Sequence, residues 1–319
     1  MAARYEDLGH GVYCIDTDLY RAQMAACYLI REGDAVAFVD TGTYHTIPWL
    51  MAVLAELGLS ADNVRYVIPT HVHLDHAGGA GELMARCPNA TMIVHPKGAL
   101  HMIDPSKLQA GATAVYGAEG FANDYGKLIP VPAERVIAAV DGYAVELNGR
   151  RLTFYDTPGH ANHHGCIFDA SSRYCFTGDT FGICYREFAT AKGAWIFAPT
   201  TPVAFSPNEW QQSLDKLEAL QPSAMLLTHY GQVTDVAGLF PKLRASIEAL
   251  SNLALTLKNA PEGRVDALKE QIFLTWLEEI ATHGVNLPEG DIRELLRVDA
   301  TLNAQGLDVW LQRLAKAKT

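Results

Sequence analysis

What the chain lacks narrows its function before any motif is read. No apolar run in its 319 residues approaches the roughly 18–20 residues that a membrane span requires, so no membrane partner is expected. The opening stretch, Met1 to Asp16, has no basic segment followed by an apolar one. No signal peptide is therefore expected, and the cytoplasm is the default compartment. Positive charge is in deficit, with 25 Lys+Arg against 36 Asp+Glu and a net charge of -11. A nucleic-acid surface needs clustered basic residues to neutralise phosphates; no basic run is present, so nucleic acid is not an expected partner either. The six cysteines (Cys14, Cys27, Cys87, Cys166, Cys175 and Cys184) never fall into CxxC spacing. In a chain of this size they read as reduced, mostly buried thiols rather than a disulfide framework. GxSxG, P-loop and HExxH motifs are absent, as are short repeats and low-complexity tracts.

What is there is ordinary in bulk and unusual in detail. A composition 49% hydrophobic and 19% charged suits a globular chain with a real core, and the length allows one large domain or a domain plus an appendage. Short apolar runs at Gly11 to Thr17, Cys27 to Ile30 and Ala35 to Asp40 predict strands, the last two forming a hairpin. Ile47, Leu50, Met51, Leu54 and Leu57 recur at helical spacing, and Gly58 stops that helix. A strand from Val64 to Pro69 runs into Thr70 and His71, and Thr91 to His95 is a further strand. Such alternation predicts an α/β layered domain. Residues 97–135 read as an insertion of two short helices. Strands resume at Ala144 to Leu147, Arg151 to Asp156, Cys166 to Asp169 and Tyr174 to Thr177. A long aromatic loop then carries Phe181, Tyr185, Phe188, Trp195, Phe197 and Phe205. Ser206, Pro207 and Glu209 predict a capping box with proline at the first helical position. Met225 to Thr228 reads as the final strand. Beyond residue 235, four apolar stripes at helical spacing predict a helical extension over residues 236–319, with core packing as their purpose.

Twelve histidines matter more than the charge, because neutral imidazole is the commonest metal ligand. The sharpest cluster is HVHLDH, residues 71–76, directly after an apolar strand. Histidines at i and i+2 supply nitrogens to one metal, while Asp75 and His76 can turn toward a second. One histidine in a loop is usually a packed or solvated residue; four ligand-type side chains within six positions are not explained that way. Three more strand ends deliver His160 (from TPGH), Asp179 (from TGD) and His229 (from LTHY).

HVHLDH, TPGH, TGD and LTHY, in this order and with these wide gaps, resemble the ligand motifs of the metallo-β-lactamase superfamily over roughly residues 10–235. The resemblance implies an α/β fold, an αββα sandwich of two similar halves over residues 1–235, with the metal site along one edge. Carried onto this sequence, His71, His73 and His160 would hold the first metal, Asp75, His76 and His229 the second, and Asp179 would bridge the pair. Imidazole and carboxylate donors suit two divalent ions, zinc first, with iron and manganese as alternatives. Ions about 3.5–4 Å apart can share a hydroxide and polarise the bond under attack. Asp75 would orient that hydroxide and act as the catalytic carboxylate.

The expected reaction is hydrolysis of a small ester-like substrate, a lactone or thioester. Bridging Asp179 resembles the lactonase and glyoxalase II pattern, and the aromatic loop would suit a partly apolar acyl group. Phe181 and Tyr185 are the candidates for touching substrate, with pocket wall or core as the competing reading. Two other functions stay open: an iron-dependent redox enzyme of the same fold (a persulfide dioxygenase or a di-iron oxygen-reactive protein), and a non-catalytic sensor or partner-binding protein stabilised by its metals. The C-terminal helices could close a pocket, pair two copies into a homodimer, or dock a partner. His163 and His164 read as solvated, Cys184 as an inert thiol. Asp40, in the Asp40-Thr41-Gly42 turn, reads equally as a brace for the metal loop or a backbone cap.

Overall fold

The computed structural model describes residues 4–259 and 262–317. They divide into two compact units that interleave along the chain. The first takes Met1–Asp156, His163–Gly178 and Gln221–Thr234; the second takes Thr157–Asn162, Asp179–Leu220 and Asp235–Thr319.

The first unit holds two sheets. One has seven strands in chain order: β1 (Tyr5–Asp7), β2 (Val12–Asp16), β3 (Ala26–Glu32), β4 (Ala35–Val39), β5 (Val64–Ile68), β6 (Thr91–Val94) and β7 (Val136–Ala138). Pairing is antiparallel from β1 to β4 and parallel from β4 to β7. The switch follows from the connections. A short turn at Gly33 joins β3 to β4, whereas α1 (Ile47–Glu56) carries the chain back so that β5 runs beside β4 in the same direction. Two short helices, α2 (Leu74–Ala77) and α3 (Ala80–Arg86), follow β5. The second sheet comprises β8 (Ala144–Leu147), β9 (Arg150–Asp156), β10 (Gly165–Asp169), β11 (Tyr174–Gly178), β12 (Ala224–Leu227) and β13 (Gly231–Val233). It repeats the pattern: β8 to β11 pair antiparallel and β12 adds parallel to β11. Because β13 follows His229 and pairs with β12, the run ending at Thr228 is not the last strand.

β4 shows why the sheets stack. Its five residues, AVAFV, are all buried, which a strand achieves only when both faces are covered. Val36 and Phe38 join α1 residues Ile47, Leu50, Val53 and Leu54 in one cluster. Ala35, Ala37 and Val39 face Leu152, Phe154, Ile167, Phe176 and Leu226 of the other sheet. The two-residue period sends alternate side chains into the two cores. Residues 97–135 include α4 (Pro96–Ile103) and α5 (Ser106–Asp124), the latter broken at Gly117, where φ is 73°.

The second unit is helical: α6 (Pro207–Ala219), α7 (Val236–Thr256), α8 (Arg264–His283), α9 (Glu289–Leu295) and α10 (Arg297–Lys316). Pro207 does stand at the first position of α6, but the Ser206 side chain makes no cap among the described residues. Its backbone secures the entry instead, Ser206 N donating to Gly159 O at 2.8 Å. The four C-terminal stripes form helices, yet they do not fill their core alone. Phe181 stacks edge-on against Phe240 of α7 at 4.8 Å, Phe197 meets Trp276 of α8 at 4.6 Å, and Phe205 meets Trp310 of α10 at 5.6 Å. The aromatic loop is therefore core. The expectation that it lines an acyl pocket is corrected for these rings, because burial of large aromatic surface against the helices outweighs exposure. Among the described residues no helix is long and apolar enough to cross a membrane.

Candidate metal centre

In the first unit, two loops at the ends of parallel neighbours β4 and β5 are laced together. Asp40 leaves β4 with φ of 56°, a left-handed conformation that Asp tolerates better than most residues. This turn aims its carboxylate at the next strand end. Asp40 Oδ1 accepts from Thr70 N at 2.7 Å, and the Thr70 hydroxyl donates to the same carboxylate at 3.0 Å. Thr228 Oγ1 donates to Oδ2 at 2.9 Å, and His76 Nδ1 lies 2.9 Å from it. Thr41 N and Oγ1 both donate to His76 O, at 2.7 and 2.9 Å. Both readings of Asp40 hold: it caps the Thr70 backbone and holds the side chains of Thr70, His76 and Thr228.

These contacts set which ring nitrogen of each histidine is exposed to a ligand. His76 gives its Nδ1 proton to a carboxylate. His229 Nδ1 lies 2.8 Å from Met24 O; a carbonyl cannot donate, so that nitrogen carries the proton. Thr70 spends its hydroxyl proton on Asp40, so it accepts from His71 Nδ1 at 3.1 Å. In a neutral ring, Nε2 is then the nitrogen that carries the lone pair. His76 Nε2 and His229 Nε2 lie 3.4 and 3.2 Å from Asp75 Oδ2, and ligand atoms of these three residues all fall within 4.8 Å of one another. His71 Nε2 lies 2.8 Å from His73 Nδ1.

In the second unit, His160 follows Gly159, whose φ is 137° and whose site has no room for a side chain: a Cβ there would come within 2.3 Å of Trp210 Cβ. His160 Nδ1 lies 2.8 Å from Pro199 O, so by the same logic the lone-pair nitrogen of a neutral ring is Nε2. That nitrogen lies 3.3 Å from Asp179 Oδ2. Trp210 Nε1 donates to Thr180 O at 2.7 Å, tying the residue after Asp179 to α6.

The remaining sequence candidates are accounted for in turn. His164 is buried and stacks on His71 at 4.7 Å between ring centroids, and half-buried His163 lies 5.5 Å from His73. The expectation of solvation is thus corrected for His164, which packs against His71, while His163 is half-buried. Tyr185 is buried and its hydroxyl donates to Asp299 at 3.1 Å; Phe181 is buried against Phe240. Both take core positions. Burial pushes the Cys184 thiol well above its usual range, as expected of an inert cysteine. Sequence reasoning missed Thr70, Thr228, Met24 and Pro199. The carbonyls of Met24 and Pro199 carry no side-chain signal at all, whereas both threonines directly precede a histidine at a strand end.

The donor set fits a cation. Asp75 Oδ2, His76 Nε2 and His229 Nε2 are turned toward one another, and with neutral rings a cation among them would satisfy all three. Imidazole nitrogens with a carboxylate oxygen match a borderline divalent ion.

Comparison with known proteins agrees. The sequence profile of the metallo-beta-lactamase superfamily matches residues 20–229. The chain is similar to the metallo-beta-lactamase fold-containing protein ST1585 of Sulfurisphaera tokodaii, 27% identical over 216 residues, covering 66% of this chain and 75% of that protein. It is also similar to a hydroxyacylglutathione hydrolase of Salmonella paratyphi A, 26% identical over 163 residues, but the match covers 49% of this chain and only 44% of that one. Among solved structures, the crystal structure of ST1585 from Sulfolobus tokodaii superposes with a TM-score of 0.63 at 22% identity, covering 93% of this chain and 98% of the other. With the profile spanning the ligand run through to His229, the chain belongs to the metallo-beta-lactamase superfamily.

Proposed function

We propose that the chain is a hydrolase that uses two divalent metal ions, zinc ahead of iron or manganese, to cleave a small ester-like substrate, with thioesters and lactones first. The observation that carries this reading is the convergence of His76 Nε2 and His229 Nε2 on Asp75 Oδ2, at 3.4 and 3.2 Å. In it, Asp75, His76 and His229 hold one ion, His71, His73 and His160 the other, and Asp179 bridges them. Superfamily membership, rather than any distance, is what joins ligands of the two units in this reading.

When bound, two such ions supply a nucleophile from water at neutral pH and polarise the carbonyl under attack. The chain's own groups do the rest. Asp40 and Thr70 fix the rings of His76 and His71, so the ligand nitrogens are held before anything binds. Asp75 retains solvent access, its side chain 27% exposed while that of His76 is fully buried. It is thus the member of its trio able to take a proton from attacking water and return one to the leaving group. The net charge of -11 weighs against phosphodiester polymers. Superfamily members are mostly metal-dependent hydrolases, and the Salmonella relative is named for hydrolysis of hydroxyacylglutathione, a thioester; both support the substrate class.

Elemental analysis of protein purified without added metal, followed by thioester and lactone panels, tests the reading. About two zinc ions per chain and turnover abolished by Asp75→Asn are expected. Predominant iron with oxygen-dependent turnover would overturn the hydrolase, and failure to take up any metal on reconstitution would overturn the ligand set.

A further inference from the structure

We infer that Asn303, on the C-terminal helix α10, is a positioning residue for the metal ligand His160; this rests on the ligand set proposed above. All of its parts lie in the second unit. His160 is oriented by the carbonyl of Pro199 at 2.8 Å, with Thr201 Oγ1 3.3 Å from the same nitrogen. A carbonyl can fix a ring only if it is itself fixed, and Pro199 sits in irregular chain without an N–H of its own to anchor it.

Asn303 supplies that anchor on both flanks. Its Nδ2 donates to Ala198 O at 3.1 Å, and its Oδ1 accepts from Thr200 N at 2.5 Å, so one side-chain amide brackets Pro199 as a neighbouring strand would. Thr200 Oγ1 also donates to Asn303 O, at 3.2 Å. From α7, Ser246 Oγ accepts from Ala198 N at 3.1 Å. One turn after Asn303, Gly306 lets α10 press directly on the segment: a Cβ there would fall 1.5 Å from Thr200 O. His160, Thr200 and Asn303 are all at or below 1% exposure. In the low-polarity interior such bonds hold their geometry against exchange with water. A buried asparagine that merely satisfied loop backbone would not need to straddle the one carbonyl that sets the tautomer of a ligand.

Outer partners of metal-binding histidines are worth roughly 10–100-fold in metal affinity, and the expected signature is selective. Zinc dissociation constants would be resolved by competition with a chromophoric chelator for the full-length protein and for Asn303→Ala, His160→Ala and His229→Ala, with thermal melts alongside. Thr301→Ala, which removes an exposed hydrogen bond within the same helix, is the control. Asn303→Ala should raise, by roughly 10-fold or more, the same dissociation constant that His160→Ala raises, and leave the His229-dependent one unchanged; a general loss of stability would raise both. If Asn303→Ala no longer melts cooperatively, Thr200→Val, which deletes the hydroxyl at nearly constant shape, should raise the His160-dependent constant by a few-fold.

Wild-type zinc constants in the folded Asn303 variant, or in Thr200→Val should the first not fold, would overturn the inference alone, since His160→Ala would still show its loss. An equal rise in both constants would also overturn it, leaving Asn303 as ordinary packing. No change in either constant for His160→Ala would overturn the ligand set, and the inference with it.

Discussion

Asp40 Oδ2 stands 2.9 Å from His76 Nδ1, both side chains essentially sealed from solvent, and the same carboxylate gathers Thr70 and Thr228. Asp40→Ala would leave these donors facing no acceptor, at a cost of about 1–3 kcal/mol for each buried group stranded. It would also free the His76 ring. Zinc affinity should fall roughly 10–100-fold, read by chelator competition, and an unchanged affinity in folded protein would refute the bracing role.

A second buried carboxylate has no part in the site and makes a cleaner stability test. Arg150 Nε donates to Asp169 Oδ1 at 3.1 Å and Nη2 reaches Oδ2 at 2.5 Å, with both side chains buried. Asp169→Asn strands the guanidinium and should cost about 3–5 kcal/mol in urea unfolding. Burial would raise the Asp169 carboxyl, but Arg150 and Ser172 outweigh it and hold it below its ordinary value. The folded pKa is below the unfolded one, so the contribution is complete above roughly pH 4 and disappears as pH falls through the folded value. The gap between wild type and Asp169→Asn should therefore narrow only below that pH; a constant gap down to pH 2 would contradict the assignment.

Gly159→Ala tests the turn that presents His160. The new Cβ would meet the Trp210 backbone as well as its side chain, within 2.4 Å of Cα, and no rotamer change relieves a backbone clash. A loss of more than about 1 kcal/mol together with weaker zinc binding is expected from melts and metal analysis. Full stability would show that α6 can retreat.

Metal removal should be felt by the whole fold, because ligands in distant sequence segments are bound only in the native state. At zinc a hundredfold above its dissociation constant, the gain is about 2.7 kcal/mol per site. Exhaustive dialysis against chelator should lower the melting temperature and readdition restore it; an apo protein melting with the holo form would argue against a resident ion.

The parts of this architecture written in side-chain type were legible, and those written in backbone were not. The AVAFV run of β4 and the Ile47, Leu50, Leu54 stripe of α1 carry their periods openly. β1 is exposed along its whole length and β13 is a three-residue return after His229, and neither has an apolar pattern to betray it; β7 is apolar but only three residues long, at a sheet edge. The predicted capping box at Ser206 matches in residue type, yet Ser206 N is committed to Gly159 O, a partner no local pattern names. Likewise His163 and His164 looked alike in sequence, though His164 is fully buried behind His71. Chain position tells which residues are neighbours, not which face of a returning loop they occupy.

The loop between Asp179 and Ser206 has a practical consequence. Phe181, Phe188, Phe197 and Phe205 are each no more than 1% exposed, and several of their covering rings belong to α7, α8 and α10. A chain cut near residue 235, where the family profile has already ended, would unveil a continuous greasy surface of the kind that drives self-association. The helices beyond that point supply that cover, and a trimmed version should precipitate on expression even with residues 71–76, 160, 179 and 229 intact.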